Sequence, residues 1–281
     1  MKQKEKSKKL VGEAGFDAYY REIYGERWEK LRNALLEKAD SREYKVGEAE
    51  PYFLDSGSIR CAVSLPLAGA KKILDLCAAP GGKSIVLASC MDSDAALLSN
   101  ERSPERKLRL VHSCDSCLPE SIRSRVEVIC KDGAKMCLSK ENELHFDRIL
   151  LDAPCSSERH VLSDPKYLSE WSPSRVRTLA VAQWSLLSSA YRMLKNGGYL
   201  LYSTCALAFE ENDGVVAKLL KKFGDAKVLP PEIASDASAF CDSNLPDYEK
   251  TEFGAHVLPD LQNGAGPLYF CLIKKCGGEE V

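Results

Sequence analysis

Short apolar runs alternate with amphipathic stretches along most of this chain. Ile73, Leu74 and Leu76 form an apolar run of the kind that a strand buried on both faces requires. Pro80, Gly81 and Gly82 break it, and Ser84-Ile-Val-Leu-Ala-Ser89 begins a helix. The same reading predicts helix 83–90, strand 95–99, helix 104–113 and strands 126–130 and 147–151. Beyond these it predicts a helix over about 174–194 closed by Asn196-Gly197-Gly198, strand 199–202, helix 209–222, and strands 226–229 and 268–274. Upstream, Phe16, Tyr19, Ile23 and Tyr24 recur near helical spacing, as do Trp28, Leu31, Leu35 and Leu36, so residues 10–45 read as helical. Pro51 to Ser58 reads as a turn and cap before a helix over 58–65. Alternation of this length implies an α/β architecture, a doubly wound sheet of about seven strands, with residues 1–50 as an N-terminal helical extension and 51–276 as the main domain.

In such sheets ligands sit at the carboxyl ends of the strands. Glu101, Asp132, Asp152, Cys155 and Cys205 all stand at or just past a predicted strand end, so they should face one crevice. If strands 147–151 and 199–202 are neighbours, their ends lie about 4.8 Å apart and two cysteines look into one space. The bend Cys77-Ala78-Ala79-Pro80-Gly81-Gly82-Lys83 edges the same crevice, with glycines for close backbone approach and free N–H groups at a helix start. A phosphate-binding loop needs a glycine where Cys77 stands, and a dinucleotide fingerprint needs glycines where Ala79 and Pro80 stand. That leaves a phosphate-free adenosine ligand such as S-adenosyl-L-methionine, with Glu101 on the ribose, or a plain structural turn.

Composition alters little of this. The 281 residues are 44% hydrophobic and 28% charged, with a net charge of −2 and a pI near 6.2, which weighs against a nucleic-acid binder charged over its whole surface. Local basic runs remain, with five lysines in residues 1–9 and Arg159, Lys166, Arg175, Arg177, Arg192 and Lys195 further on; solvated faces explain both. No apolar run approaches the roughly 20 residues of a membrane helix, so no membrane partner is expected. The N-terminus reads as neither a secretory signal nor a transit peptide, which makes the cytoplasm the expected compartment and the twelve cysteines reduced thiols. Cys114 and Cys117 have C-x-x-C spacing but lack a second pair or clustered histidines, so no metal is expected.

Paired thiols beside an adenosyl group suit methylation at C5 of cytosine. C5 is a poor nucleophile until a thiolate adds at C6, and a carboxyl group such as Asp152 at N3 favours that addition. A second cysteine would assist release. The base has to leave its stack, which favours single-stranded or flipped-out RNA.

Leu74-Asp-Leu-Cys-Ala-Ala-Pro-Gly-Gly-Lys83, Asn100-Glu101 with Arg106, Asp147-Arg-Ile-Leu-Leu-Asp-Ala-Pro-Cys-Ser156 and Tyr202-Ser-Thr-Cys205 resemble the successive motifs of the Sun/Fmu (NOP2-like) family of RNA cytosine-5 methyltransferases, from about Tyr52 to Lys275. The resemblance implies a class I, Rossmann-like methyltransferase fold and S-adenosyl-L-methionine as cofactor. It implies Cys205 as nucleophile and Cys155 as the residue aiding release. Cys77 to Lys83, Glu101, Arg106, Asp132 and Asp152 would line the cofactor site. A DNA cytosine methyltransferase would attack through the Pro-Cys cysteine instead. Two departures, Ser156-Ser-Glu-Arg-His160 where glycines and arginines are usual and Gly266-Pro-Leu-Tyr-Phe270, are similar to the mitochondrial ribosomal RNA branch, as is Phe16 to Trp28. The implied partner is ribosomal RNA or a ribosomal particle, met as a monomer with or without a helper protein, since no separate RNA-binding domain is visible. Transfer RNA as substrate, or a ribosome-assembly factor that no longer needs chemistry, are the competing expectations.

Overall fold

The structure is a computed structural model that describes residues 11–234 and 244–277. The lysine run of residues 1–9 and Cys241 lie outside the described residues. In chain order the elements are α1 Gly12–Tyr24, α2 Trp28–Leu36, β1 Arg42–Tyr44, β2 Tyr52–Leu54, α3 Ser56–Val63, β3 Lys72–Asp75, α4 Gly82–Cys90, β4 Ala96–Asn100, α5 Pro104–Cys117, α6 Glu120–Arg123 and β5 Val126–Ile129. There follow β6 Phe146–Asp152, α7 Glu158–Ser163, α8 Pro165–Ser169, α9 Pro173–Met193, β7 Leu194–Thr204, α10 Asp213–Lys222, β8 Ala226–Leu229, β9 Glu249–Lys250, β10 Ala255–Val257 and β11 Leu268–Lys275.

All seven expected strands form, in the order β5-β4-β3-β6-β7-β11, with β8 paired to β11. Two short strands that the pattern did not predict, β10 and β9, extend the sheet beyond β11. From β5 to β7 the pairing is parallel, and β11 runs antiparallel to β7. The strand order reverses between β3 and β6, so their carboxyl ends open the crevice where ligands bind in doubly wound sheets.

Burial on both faces explains the continuous apolar runs. On one face Ile73, Leu97, Val126 and Leu150 pack under Ile59 of α3, Ile85 of α4 and Leu110 of α5. On the other, Leu74, Ile149, Leu151 and Leu200 meet Leu187 of α9 and Val215 and Leu219 of α10. Caps sharpen the helix starts. Asp55 Oδ1 accepts from Ser58 N at 3.2 Å, and Ser103 Oγ accepts from Arg106 N at 3.3 Å behind Pro104.

Several boundaries differ from the sequence reading, among them α3 at Ser56–Val63 against 58–65 and α10 starting at Asp213 against 209. Residues 42–44 are a strand paired with 52–54, because Tyr44 turns its ring inward and its hydroxyl meets Ser89 Oγ at 2.6 Å, while Glu43 and Phe53 point out. Tertiary contacts of Tyr44 therefore override a weak helical pattern. Helix α5 runs on to Cys117, since Cys114 and Cys117 are buried against the sheet. The stretch Asn196-Gly197-Gly198 does not close α9 in a loop but lies inside β7, where a Cβ on Gly198 would come within 2.9 Å of Asp147 O. The β6–β7 ladder shifts register there.

The N-terminal helices form a third, aromatic cluster. Phe16, Tyr20, Trp28 and Leu31 pack with Trp171, Val161 and Leu207 rather than against the sheet. That places α1 and α2 against the loops that follow β6 and β7.

Candidate active site

Strands β6 and β7 pair with Asp152 opposite Ser203, which carries the next residues of both chains out side by side. The sulfurs of Cys155 and Cys205 lie 2.8 Å apart, and Cys205 N–H donates to Cys155 Sγ at 3.3 Å. The hydrogen bond to Cys205, reinforced by burial, pushes the Cys155 thiol well above its ordinary value. Either thiol can donate in the bond between the two sulfurs.

Both sulfurs open onto a cavity of about 620 Å³ that also receives Cys77, Ala79, Lys83, Arg106 and Asp152. Lys83, the second residue of α4, donates from Nζ to Asp152 Oδ2 at 2.7 Å and to Ser58 Oγ at 3.3 Å. Burial alone would lower the ammonium's pKa, but the Asp152 carboxylate outweighs it and holds Lys83 charged. Asp152 Oδ1 accepts from Ser203 Oγ at 2.8 Å, so its carboxyl plane is fixed from both sides.

Glu101 and Asp132 face an adjoining cavity of about 260 Å³ that shares Cys77, Arg106 and Pro154 with the first. Ala78, Pro80 and Gly82 line a smaller recess beside Tyr52 and Leu54. Gly81 lines none of the three. It sits at φ 121°, and a Cβ there would come within 3.1 Å of Ser113 Cβ, so its part is to let the bend pack on α5. Asn100 ties the strand ends together, donating to Leu76 O and Lys131 O at 3.0 and 3.1 Å.

The acceptor set suits an adenosine ligand. Glu101 is nearly buried, and its Oε1 accepts from Ser103 N at 2.9 Å. Its Oε2 makes no hydrogen bond among the described residues, although Arg106 Nη1 is 3.2 Å away as an ion pair. A buried carboxylate oxygen with spare acceptor capacity is what a ribose hydroxyl needs. Arg106 is itself steadied by Ala79 O at 2.7 Å.

Several residues here were not legible beforehand. Glu158 and Glu211 are fully buried beneath the two cysteine loops and brace them reciprocally. Glu158, just after Cys155, accepts from Leu207 N at 3.0 Å in the other loop. Glu211, after Cys205, accepts from Ser156 N at 2.9 Å and from Gln183 Nε2 at 2.7 Å, while Gln183 also donates to Pro154 O. Tyr20 of α1 and Ser156 Oγ both donate to Glu158. Tyr24 donates to Leu207 O at 3.0 Å and Tyr19 to Glu210 at 2.9 Å. In sequence these carboxylates sit among exposed charged neighbours, and only the departure at Ser156-Ser-Glu-Arg-His160 hinted that this loop is built differently.

Of the cations in the 159–195 run, Lys166, Arg175 and Arg177 are exposed as expected, but Arg159 is not a solvated charge. Its guanidinium collects Leu35 O and Glu37 O at the end of α2 and Gly264 O and Gly266 O beside the cavity, at 2.9 to 3.2 Å.

Comparison with known proteins identifies the family. The family model for the 16S rRNA methyltransferase RsmB/F matches residues 62–269. A mouse protein named mitochondrial tRNA (cytosine(34)-C(5))-methyltransferase is 31% identical over 241 residues, which span 85% of this chain and 68% of that one. The bovine 5-cytosine rRNA methyltransferase NSUN4 is 33% identical over 239 residues, 80% of this chain and 60% of the relative. A crystal structure of a methyltransferase homologue from Pyrococcus horikoshii superposes with a TM-score of 0.67 over 95% of this chain and 96% of that one, and at 21% identity it bears on the fold alone. The fold is thus the class I methyltransferase fold that the motifs implied, with S-adenosyl-L-methionine as the cofactor. Because the matched span runs from within α3 into β11 and takes in both cysteine loops, the chain belongs to the family of RsmB/F 16S rRNA methyltransferases.

Proposed function

We propose that the chain methylates C5 of cytosine in ribosomal RNA through a covalent adduct between Cys205 and C6, with residues 51–276 as the methyltransferase domain and 1–50 as its arm. The observation that carries this reading is the approach of two thiols to 2.8 Å at the mouth of a cavity that also holds an ion-paired carboxylate. Residues of the glycine bend and Glu101 would hold the cofactor, which would supply an electrophilic sulfonium methyl. Cys205 contributes its sulfur electron pair to C6, and electron density then reaches C5. Asp152, its carboxylate paired with the Lys83 ammonium, accepts from N3–H of a ring that has taken a proton from solvent there, and so favours the form that accepts this density. After methyl transfer C5 gives up its proton to solvent, the C5–H electron pair re-forms the C5–C6 double bond, and the Cys205 sulfur departs with the C–S electron pair, steadied by the Cys155 sulfur beside it. Cys77 to Pro80, Gly82, Lys83, Glu101, Arg106 and Asp132 hold the adenosyl part, while Gly81 lets the bend pack on α5.

Substitution of the two cysteines separates these roles. Cys205→Ser is expected to abolish transfer of labelled methyl to RNA. Cys155→Ser is expected to accumulate a protein–RNA adduct, seen as a shifted band on a denaturing gel. An adduct absent from both variants would overturn the assignment. Transfer RNA is the second candidate substrate, on the strength of the mouse relative's name. Mapping 5-methylcytosine after incubation with ribosomal and transfer RNA in parallel decides between them.

A further inference from the structure

Ser157 stands directly after Ser156 and before α7, at φ 54° and ψ 65°. Among the described residues only Leu144, Ser157 and Asn263 take a positive φ without being glycine. A side chain there costs about 1–2 kcal/mol that glycine would avoid. Strain of this kind persists where surrounding bonds over-determine it. Here Ser156 N is held by Glu211, Ser156 Oγ by Glu158, and Val161 N donates to Ser157 O at 3.0 Å. The two serines therefore point to opposite sides, Ser156 to the buried carboxylates and Ser157 to the cavity.

The Ser157 hydroxyl lies 3.2 Å from Cys205 Sγ, 3.5 Å from Cys155 Sγ and 3.5 Å from Cys155 O. It has one proton to give and three acceptors in reach. Cys205 Sγ is the nearest, and Cys155 Sγ already receives the Cys205 N–H. An anionic sulfur is a stronger acceptor than a neutral one, so donation strengthens as Cys205 loses its proton. We propose that Ser157 is a further catalytic residue, whose hydroxyl donates to the Cys205 sulfur and favours its thiolate. This inference rests on Cys205 as the nucleophile. No bond to Ser157 forms or breaks, and its proton stays on oxygen throughout.

The test is the pH dependence of Cys205 alkylation by iodoacetamide in the full chain, read on the Cys205 peptide by mass spectrometry. Ser157→Gly removes the hydroxyl and relieves the backbone, so that protein is expected to melt no lower than the parent. Its alkylation midpoint is expected to rise by about one pH unit, a tenfold loss of thiolate at a given pH below it. Ser157→Ala should show the same rise. A midpoint in Ser157→Gly that matches the parent overturns the proposal. So does a rise confined to Ser157→Ala, which would trace to backbone displacement. Because the titration needs no RNA, its outcome is separate from that of the methylation assay, and failure of one is distinguishable from failure of the other.

Discussion

Glu211 carries two loops on one carboxylate. Burial first, then the negative charge of Glu158, lifts its carboxyl from 4.5 to about 7, against the hydrogen bonds from Ser156 and Gln183 that pull it down. The unfolded chain would release this proton near its ordinary value while the folded chain keeps it. Stability from that proton is therefore complete below about pH 4.5 and is lost as the pH rises through about 7. Glu211→Gln keeps a side-chain oxygen for Ser156 N but has nothing to titrate. Its melting temperature, compared with that of the parent, is expected to gain steadily between about pH 5 and pH 7.5. A gap that stays constant across thermal melts in this range would show that Glu211 holds no displaced proton. Sequence could mark Cys155 and Cys205 because strand ends and motif spacing locate them. It could not mark Glu211, whose partners Ser156 and Gln183 arrive from elements far away in the chain.

At the scale of elements, the N-terminal arm packs on the loops that carry the two cysteines. Trp28 is fully buried beside Tyr20, with ring centroids 5.2 Å apart, and Tyr20 reaches Glu158. Removing the indole in Trp28→Ala should cost about 3–5 kcal/mol by chemical denaturation. Tyr20→Phe deletes one hydroxyl and leaves a buried carboxylate short of a donor, a loss of about 1–3 kcal/mol. In that variant kcat should fall while KM for RNA changes little, because the loops move and the RNA surface does not. Equal kinetics with only a lower melting temperature would make the arm simple packing. The helical spacing of Phe16, Tyr19 and Tyr24 was legible in sequence. Their destination was not, since amphipathicity says that a face is buried but not against what.

For the whole molecule, the topology matters more than any single helix. The reversal of strand order between β3 and β6 opens one crevice, and Glu101, Asp132, Asp152 and both thiols reach it from four different strands. A ligand bound there ties the two halves of the sheet together. At S-adenosyl-L-methionine about a hundredfold above its dissociation constant, the folded state should gain about 2.7 kcal/mol. Glu101→Ala should lose most of the resulting rise in melting temperature, and an undiminished rise would remove Glu101 from the ribose. The chain's local pattern was enough to determine seven strands, their helical crossovers and the side on which the polar ends gather, because burial on both faces forces apolar runs and crossovers force strand ends to one edge. Only the tertiary structure decided which ends become neighbours, how closely two sulfurs approach, and that Glu158, Glu211 and Ser157 support them. Those are contacts between residues distant in sequence, and no periodicity within one element records them.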